Sequence, residues 1–129
     1  MAPQNDMRTP LSRVRGLGSA REGTQHFWHQ RLTAIANIPL IGFFIYIVVS
    51  LNGASHAEVV ACLSKPWGAV IMLLVMGAGI YHMKLGMQVV IEDYVHGGMG
   101  KALLIANTFF AIVMAAAGGF AILKLGFGG

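Results

Sequence analysis

Three apolar runs, each long enough to cross a bilayer, constrain this chain more than anything else in it. A bilayer's hydrocarbon is about 30 Å thick and a helix rises ~1.5 Å per residue, so a span takes roughly 20 residues. Leu32 to Leu51 and Ala102 to Leu123 carry no charge, and Trp67 to about Ile91 contains His82, Lys84 and Gln88. The linkers are short: Asn52 to Pro66, and Glu92 to Lys101 with its Gly97-Gly98-Met99-Gly100 break. In lipid the backbone must satisfy its own hydrogen bonds, and runs of this length do so as helices rather than barrel strands. The sequence predicts an all-α membrane protein, three transmembrane helices in a bundle over about 32–51, 67–91 and 102–123. These make an anchor domain from 27 to 129 behind a basic tail from 1 to 26.

Composition excludes the soluble alternatives. Charged residues are 11% of the chain, against about 25% in a soluble domain. A disordered chain, which is polar and charge-rich, is excluded on the same count. Cys62 is the single cysteine, which leaves no internal disulfide and no cysteine-only metal cluster, and no role is assigned to it. Five of the nine Lys and Arg (Arg8, Arg13, Arg15, Arg21, Arg31) precede residue 32. The tail and second linker hold the four tail arginines, Arg31 and Lys101, against Lys65 and Lys124 on the other side. The positive-inside rule therefore places the N-terminus and second linker in the cytoplasm or matrix and the C-terminus outside. A basic tail ahead of an apolar body points to a membrane surface and not to nucleic acid. A cleaved signal peptide does not fit, because the first apolar stretch is too long and its leader too extended. A mitochondrial transit peptide stays open.

Polar groups inside a membrane helix are costly, so each has a reason to be there. His82 lies well within the second run. An imidazole there ligates a metal or haem iron, relays a proton, or simply bonds a neighbouring helix. Gly86 at i+4 and Gly79 at i−3 clear its face, which lets a flat macrocycle approach; close helix packing uses small residues in the same way. Asp93 returns to nearly the same face, eleven steps of about 100° being some 20° past three turns. Tyr94 follows it at the membrane surface, where an interfacial tyrosine and a solvated acid are also ordinary.

At this point the residues resemble a known family. His82-Met-Lys-Leu-Gly86-Met87, then Val90, then Asp93-Tyr94-Val95, resembles the second helix of the small membrane-anchor (D) subunit of succinate dehydrogenase. Trp28-His29-Gln30-Arg31-Leu32-Thr33-Ala34-Ile35 is similar to that family's arginine-Thr-Ala segment. The resemblance covers about residues 26 to 125 and leaves Met1 to Gln25 outside. It implies a second membrane-anchor cytochrome b subunit with one haem b held between the two chains. It also implies an iron–sulfur subunit and a flavoprotein subunit docked on the cytoplasmic face of a bacterial inner membrane, the mitochondrial inner membrane staying open. Carried over, His82 becomes an axial ligand of the haem iron, Gly86 a haem-packing position and Arg31 a partner of the propionates. Tyr94 becomes a hydrogen-bond donor to ubiquinone, with Asp93 beside that site. Lys84 departs from the bulky apolar residue expected two places after the ligand, which puts the contacts of that face in doubt.

Ligand counting supports the partner independently. A haem held by two histidines needs both inside the bilayer, and His26, His29, His56 and His96 are assigned to tails or linkers. Only His82 remains, so another chain supplies the second ligand. Arg31 has two readings: an anchor snorkelling to the headgroups, or a bidentate partner of a propionate. Pro39, eight residues on, bends the helix to aim Arg31 inward or only reflects packing. Lys84 points about 200° from His82 and snorkels to the interface. The methionines and Phe109-Phe110 read as lipid-facing or packing residues. There is no Gly-rich dinucleotide motif and no cysteine set for a cluster, so no catalytic residue is assigned and dehydrogenation belongs to other chains. The alternatives are a small proton- or ion-transporting membrane subunit without haem, lined by His82 and Lys84, and a cofactor-free scaffold. The transport reading explains neither the glycines nor Asp93-Tyr94.

Overall fold

Long runs of Leu, Ile, Val, Ala and Met with few helix breakers leave the backbone one way to pair its polar groups in lipid, residue i with residue i−4. The computed structural model describes residues 9–15 and 23–127, and Arg8 and Arg21 of the basic tail lie outside them. A short α1 (Pro10–Val14) precedes α2 (Gly23–Ser50), α3 (His56–Leu63), α4 (Pro66–Tyr94) and α5 (Gly97–Phe127). Three of these are long and apolar enough to cross a membrane: Thr24–Ser50 within α2, Pro66–Tyr94 and Gly97–Phe127.

The helices overrun the apolar runs. α2 begins at Gly23, so the polar stretch from Gln25 to Arg31 is helical and continuous with the span. It continues unbroken through Pro39. α4 opens with Pro66 in its first turn, where a missing N–H costs nothing, and Val95 N–H closes its last turn on the Ile91 carbonyl. The glycine-rich segment is no break, because only Val95 and His96 separate α4 from α5. Gly97 adopts φ +73, a left-handed conformation that turns the chain, and helix resumes at once. In the outer linker, Ser55 caps α3: its hydroxyl accepts from Glu58 N–H while the Glu58 carboxylate accepts from Ser55 N–H at 2.7 Å. Hydrogen bonds from the Ser55 hydroxyl and then its backbone hold the Glu58 carboxyl below its usual range.

The spans pack as an open row. α4 lies in the middle, with α2 on one side and α5 on the other, and among the described residues α2 and α5 do not touch. On the α5 side, Met76 lies against Gly118, and a Cβ at Gly126 would come 3.1 Å from Ala69 Cβ. Asn107 Nδ2 donates to the Lys84 carbonyl at 2.9 Å. Such a bond between membrane helices contributes ~0.6 kcal/mol on average. On the α2 side, Phe43 and Trp67 meet edge to face at 6.3 Å. The buried apolar set is small, Ile47, Ala69, Leu85, Ile91 and Ala111, while Ile38 and Phe120 are 74% and 70% exposed. Apolar faces this open belong against lipid or another chain.

Gly100 is the tightest point of the α4–α5 turn, because a Cβ there would press on the Val95 backbone carbonyl. Gly100→Ala is expected to destabilise the chain by about 1–3 kcal/mol, the usual range for forcing atoms into a packed site. Gly98→Ala, whose Cβ would meet nothing within 4 Å, is the matched control. Thermal unfolding in detergent separates the two; equal midpoints remove the steric argument.

Candidate functional site

His82 lies twelve residues before the end of α4, about 18 Å along the helix axis. It is half-buried on the seam with α2. There its ring Nδ1 lies 3.0 Å from Thr33 Oγ1. Thr33 belongs to α2, and its hydroxyl donates back to the carbonyl of His29 at 2.7 Å, with the Gln30 carbonyl at 3.1 Å. This back-bond to residue i−4 is the usual behaviour of a helical threonine with no water to serve.

The glycines beside His82 differ in their surroundings. A Cβ at Gly79 would meet nothing within 4 Å, and one at Gly86 would reach only Gln30 Nε2, at 3.4 Å. Neither position would be crowded by a side chain, so the seam alone does not account for them. Arg31 is exposed, its guanidinium carbon 4.3 Å above the Phe27 ring. With Phe27, Gln30, His26 and Val89 it lines a groove of about 300 Å3. Val89 is seven residues from His82, about 10 Å along α4. Gln30 borders both this groove and Gly86, so His82, Gly86 and Arg31 share one flank of the α2–α4 seam. Among the described residues, Gln30 Oε1 and His26 Nε2 are buried without a hydrogen-bond partner. Two polar atoms with unmet demand beside a cationic groove suit a ligand that brings acceptors and donors of its own.

Tyr94 and Asp93 stand apart, 80% exposed in the case of Tyr94, on the last turn of α4 and without hydrogen-bond partners among the described residues. Lys84 is half-buried, on the side of α4 where Asn107 holds its carbonyl. It has no acidic partner among the described residues.

The opposite flank carries groups that sequence reasoning passed over. Gln25, His26, His29, Tyr81, Leu85, Gln88 and Glu92 line a cleft of about 500 Å3. Tyr81 Oη is 2.9 Å from His29 Nδ1, and Gln88 Nε2 donates to Glu92 Oε1 at 2.9 Å. Assigning His29 and His26 to the tail is therefore corrected: both are on α2, which starts ahead of its apolar run. His29 reaches the residue next to His82 but on the other flank, with its Nδ1 engaged by Tyr81. The available signal was spacing, since Gln25 and His29 fall one turn apart and Tyr81, Gln88 and Glu92 recur at i, i+7 and i+11. Among the described residues no three His, Cys, Asp or Glu converge as a metal site.

The family described as "Succinate dehydrogenase/Fumarate reductase transmembrane subunit" matches residues 5–121. The chain belongs to that family. It is 35% identical over 120 residues to the succinate dehydrogenase hydrophobic membrane anchor subunit of Paracoccus denitrificans, covering 93% of each chain. The corresponding subunit of Rickettsia bellii is 30% identical over 84% of this chain and 87% of its own. The succinate dehydrogenase membrane anchor subunit of Reclinomonas americana is 30% identical over 60% of this chain and 67% of its own. No solved structure matches significantly. The chain is thus a multi-pass membrane protein, a subunit of a complex that carries its dehydrogenase activity on other chains. Family membership leaves the ion-path alternative without support.

Proposed function

We propose that this chain is the membrane anchor of a succinate:quinone oxidoreductase, holding one face of a haem b and delivering a hydrogen bond to ubiquinone. The observation that carries the haem reading is the placement of His82: mid-span, one ring nitrogen engaged by Thr33, with the uncrowded positions of Gly79 and Gly86 beside it. A second membrane subunit would supply the other ligand to the iron. Bound haem supplies a one-electron centre within the membrane. Arg31, in the groove shared with Gln30 and Val89 where the Phe27 ring already supports the guanidinium, would pair with its propionates. The planar fork of an arginine suits bidentate pairing with a carboxylate. Tyr94, at the exposed end of α4, donates to a quinone carbonyl, and Asp93 beside it passes protons or orients water. The ends of α2, α4 and α5 that carry Arg31, Tyr94 and Lys101 lie on the cytoplasmic side of a bacterial inner membrane, where the iron–sulfur and flavoprotein subunits dock.

A reduced-minus-oxidised spectrum of the purified complex tests this reading and is expected to contain a b-type band. A complex that oxidises succinate and reduces quinone with no such band overturns the haem assignment. Arg31→Gln is expected to leave the chain inserted, because the tail arginines still mark the cytoplasmic side. It should weaken haem by ~1.5 kcal/mol, about tenfold in affinity, through loss of a charge-assisted pair. Haem titration checks this; unchanged affinity with inverted topology would make Arg31 an orientation anchor only.

A further inference from the structure

We infer that Thr33 is a positioning residue that sets the tautomer of His82, holding the proton on Nδ1 and keeping Nε2 as the free lone pair. The number of protons at Thr33 fixes the direction of the bond. A threonine hydroxyl has one proton to donate and two lone pairs. Thr33 Oγ1 lies 2.7 Å from the His29 carbonyl and 3.1 Å from the Gln30 carbonyl, and carbonyl oxygens only accept. Two oxygens 2.7 Å apart with no proton between them repel, so the Thr33 proton points at the α2 backbone. The 3.0 Å contact with His82 Nδ1 must then run the other way, with the ring donating to the hydroxyl. A neutral imidazole carries one N–H, so Nε2 is left as the basic nitrogen.

The rest of the seam holds the ring in this state. His29, whose carbonyl takes the Thr33 proton, also bonds Tyr81 through its own ring at 2.9 Å. Two bonds from one turn of α2 thus land on adjacent residues of α4, and the His82 ring cannot turn over without breaking one of them. A histidine side chain free in water prefers the opposite tautomer, with the proton on Nε2, and that form has no lone pair on Nε2 for a metal. The seam therefore prepares the nitrogen that the haem reading needs. The inference rests on that reading for its purpose, though not for its geometry.

The test has two arms. In the first, the full chain, labelled with 15N at histidine and placed in lipid bilayers without haem, is read by solid-state NMR, with His82→Ala assigning the signal. Nδ1 protonated and Nε2 bare is expected in the wild type and in Thr33→Ser, which keeps the hydroxyl. Thr33→Val keeps the shape and removes the acceptor, so a major share of His82 should move to the Nε2–H form. A wild-type ring already in the Nε2–H form, or a Thr33→Val spectrum identical to wild type, overturns the inference. In the second arm the purified complex carrying Thr33→Val should bind haem about 10- to 100-fold more weakly. Its midpoint potential should rise, because a ligand that no longer donates through Nδ1 is less basic and stabilises ferric iron less. Thr33→Ser should restore both, and a valine variant with unchanged potential and affinity counts against the inference. A wild-type complex with no haem would instead defeat the haem reading, while the NMR result would stand by itself.

Discussion

With Tyr94→Phe, the complex assembles, binds haem and oxidises succinate with a soluble artificial acceptor, while quinone reduction falls by one or more orders of magnitude. Reducing a quinone to the quinol adds two electrons and two protons, and negative charge builds on a carbonyl oxygen on the way. A fixed donor at that oxygen stabilises the transition state more than the ground state. Removing one such donor costs on the order of 2–4 kcal/mol. A phenol suits the position: it donates, stays protonated at neutral pH, and prefers the interface where a quinone head docks. Tyr94 ends α4, is 80% exposed and has its hydroxyl uncommitted among the described residues, so the phenylalanine removes a donor without disturbing packing. Both activities are measured on the same preparation. Equal loss of the two would mean misassembly, and undiminished quinone reduction would take Tyr94 out of the site.

His82→Ala has the other large effect. Haem content should fall to near zero and the six-coordinate b-type spectrum should disappear, because His26, which also borders that flank, lies seven residues before Thr33, about 10 Å along α2 from the level of His82. His29, the nearest, is committed to Tyr81 on the far side of the seam. The chain expressed without its partner should likewise hold no six-coordinate haem, since His26 and His29 both lie nearer the start of α2 than Thr33, the residue level with His82. Full haem occupancy in the alanine variant, with unchanged spectra, would sink the ligand assignment. A bis-histidine spectrum from the isolated chain would sink the ligand count.

Much of this architecture was legible because lipid removes alternatives. Apolar stretches of span length admit only helices, and the three runs fall in α2, α4 and α5, with Leu51 alone just past the end of α2. Their ends were less legible. Hydropathy marks where a helix is apolar, whereas α2 and α5 run on into polar residues, so Gln25 to Arg31 and the glycines before Lys101 are helical. The same limit hid the role of His29. For the site, helical spacing put Gly79, Gly86 and His82 together. Spacing along one helix cannot report which neighbour a residue meets, and so it missed the pairs across helices: Thr33 with His82, Tyr81 with His29, and Asn107 with the Lys84 carbonyl. A threonine four residues after a histidine is a weak local signal, and only the register between α2 and α4 gives it meaning.

The open row of helices has a consequence for how the chain is made. α2 and α5 each contact α4 and not one another among the described residues. A ribosome delivers α2, then α4, then α5. The Thr33–His82 and His29–Tyr81 bonds therefore need only α2 and α4, and α5 takes no part in them. α5 arrives as a brace on the far side, seated by the Met76–Gly118 contact and the Asn107 bond, and alters nothing on the flank that holds His82 and Arg31. The flank that holds His82 and Arg31 is built by two helices, not three.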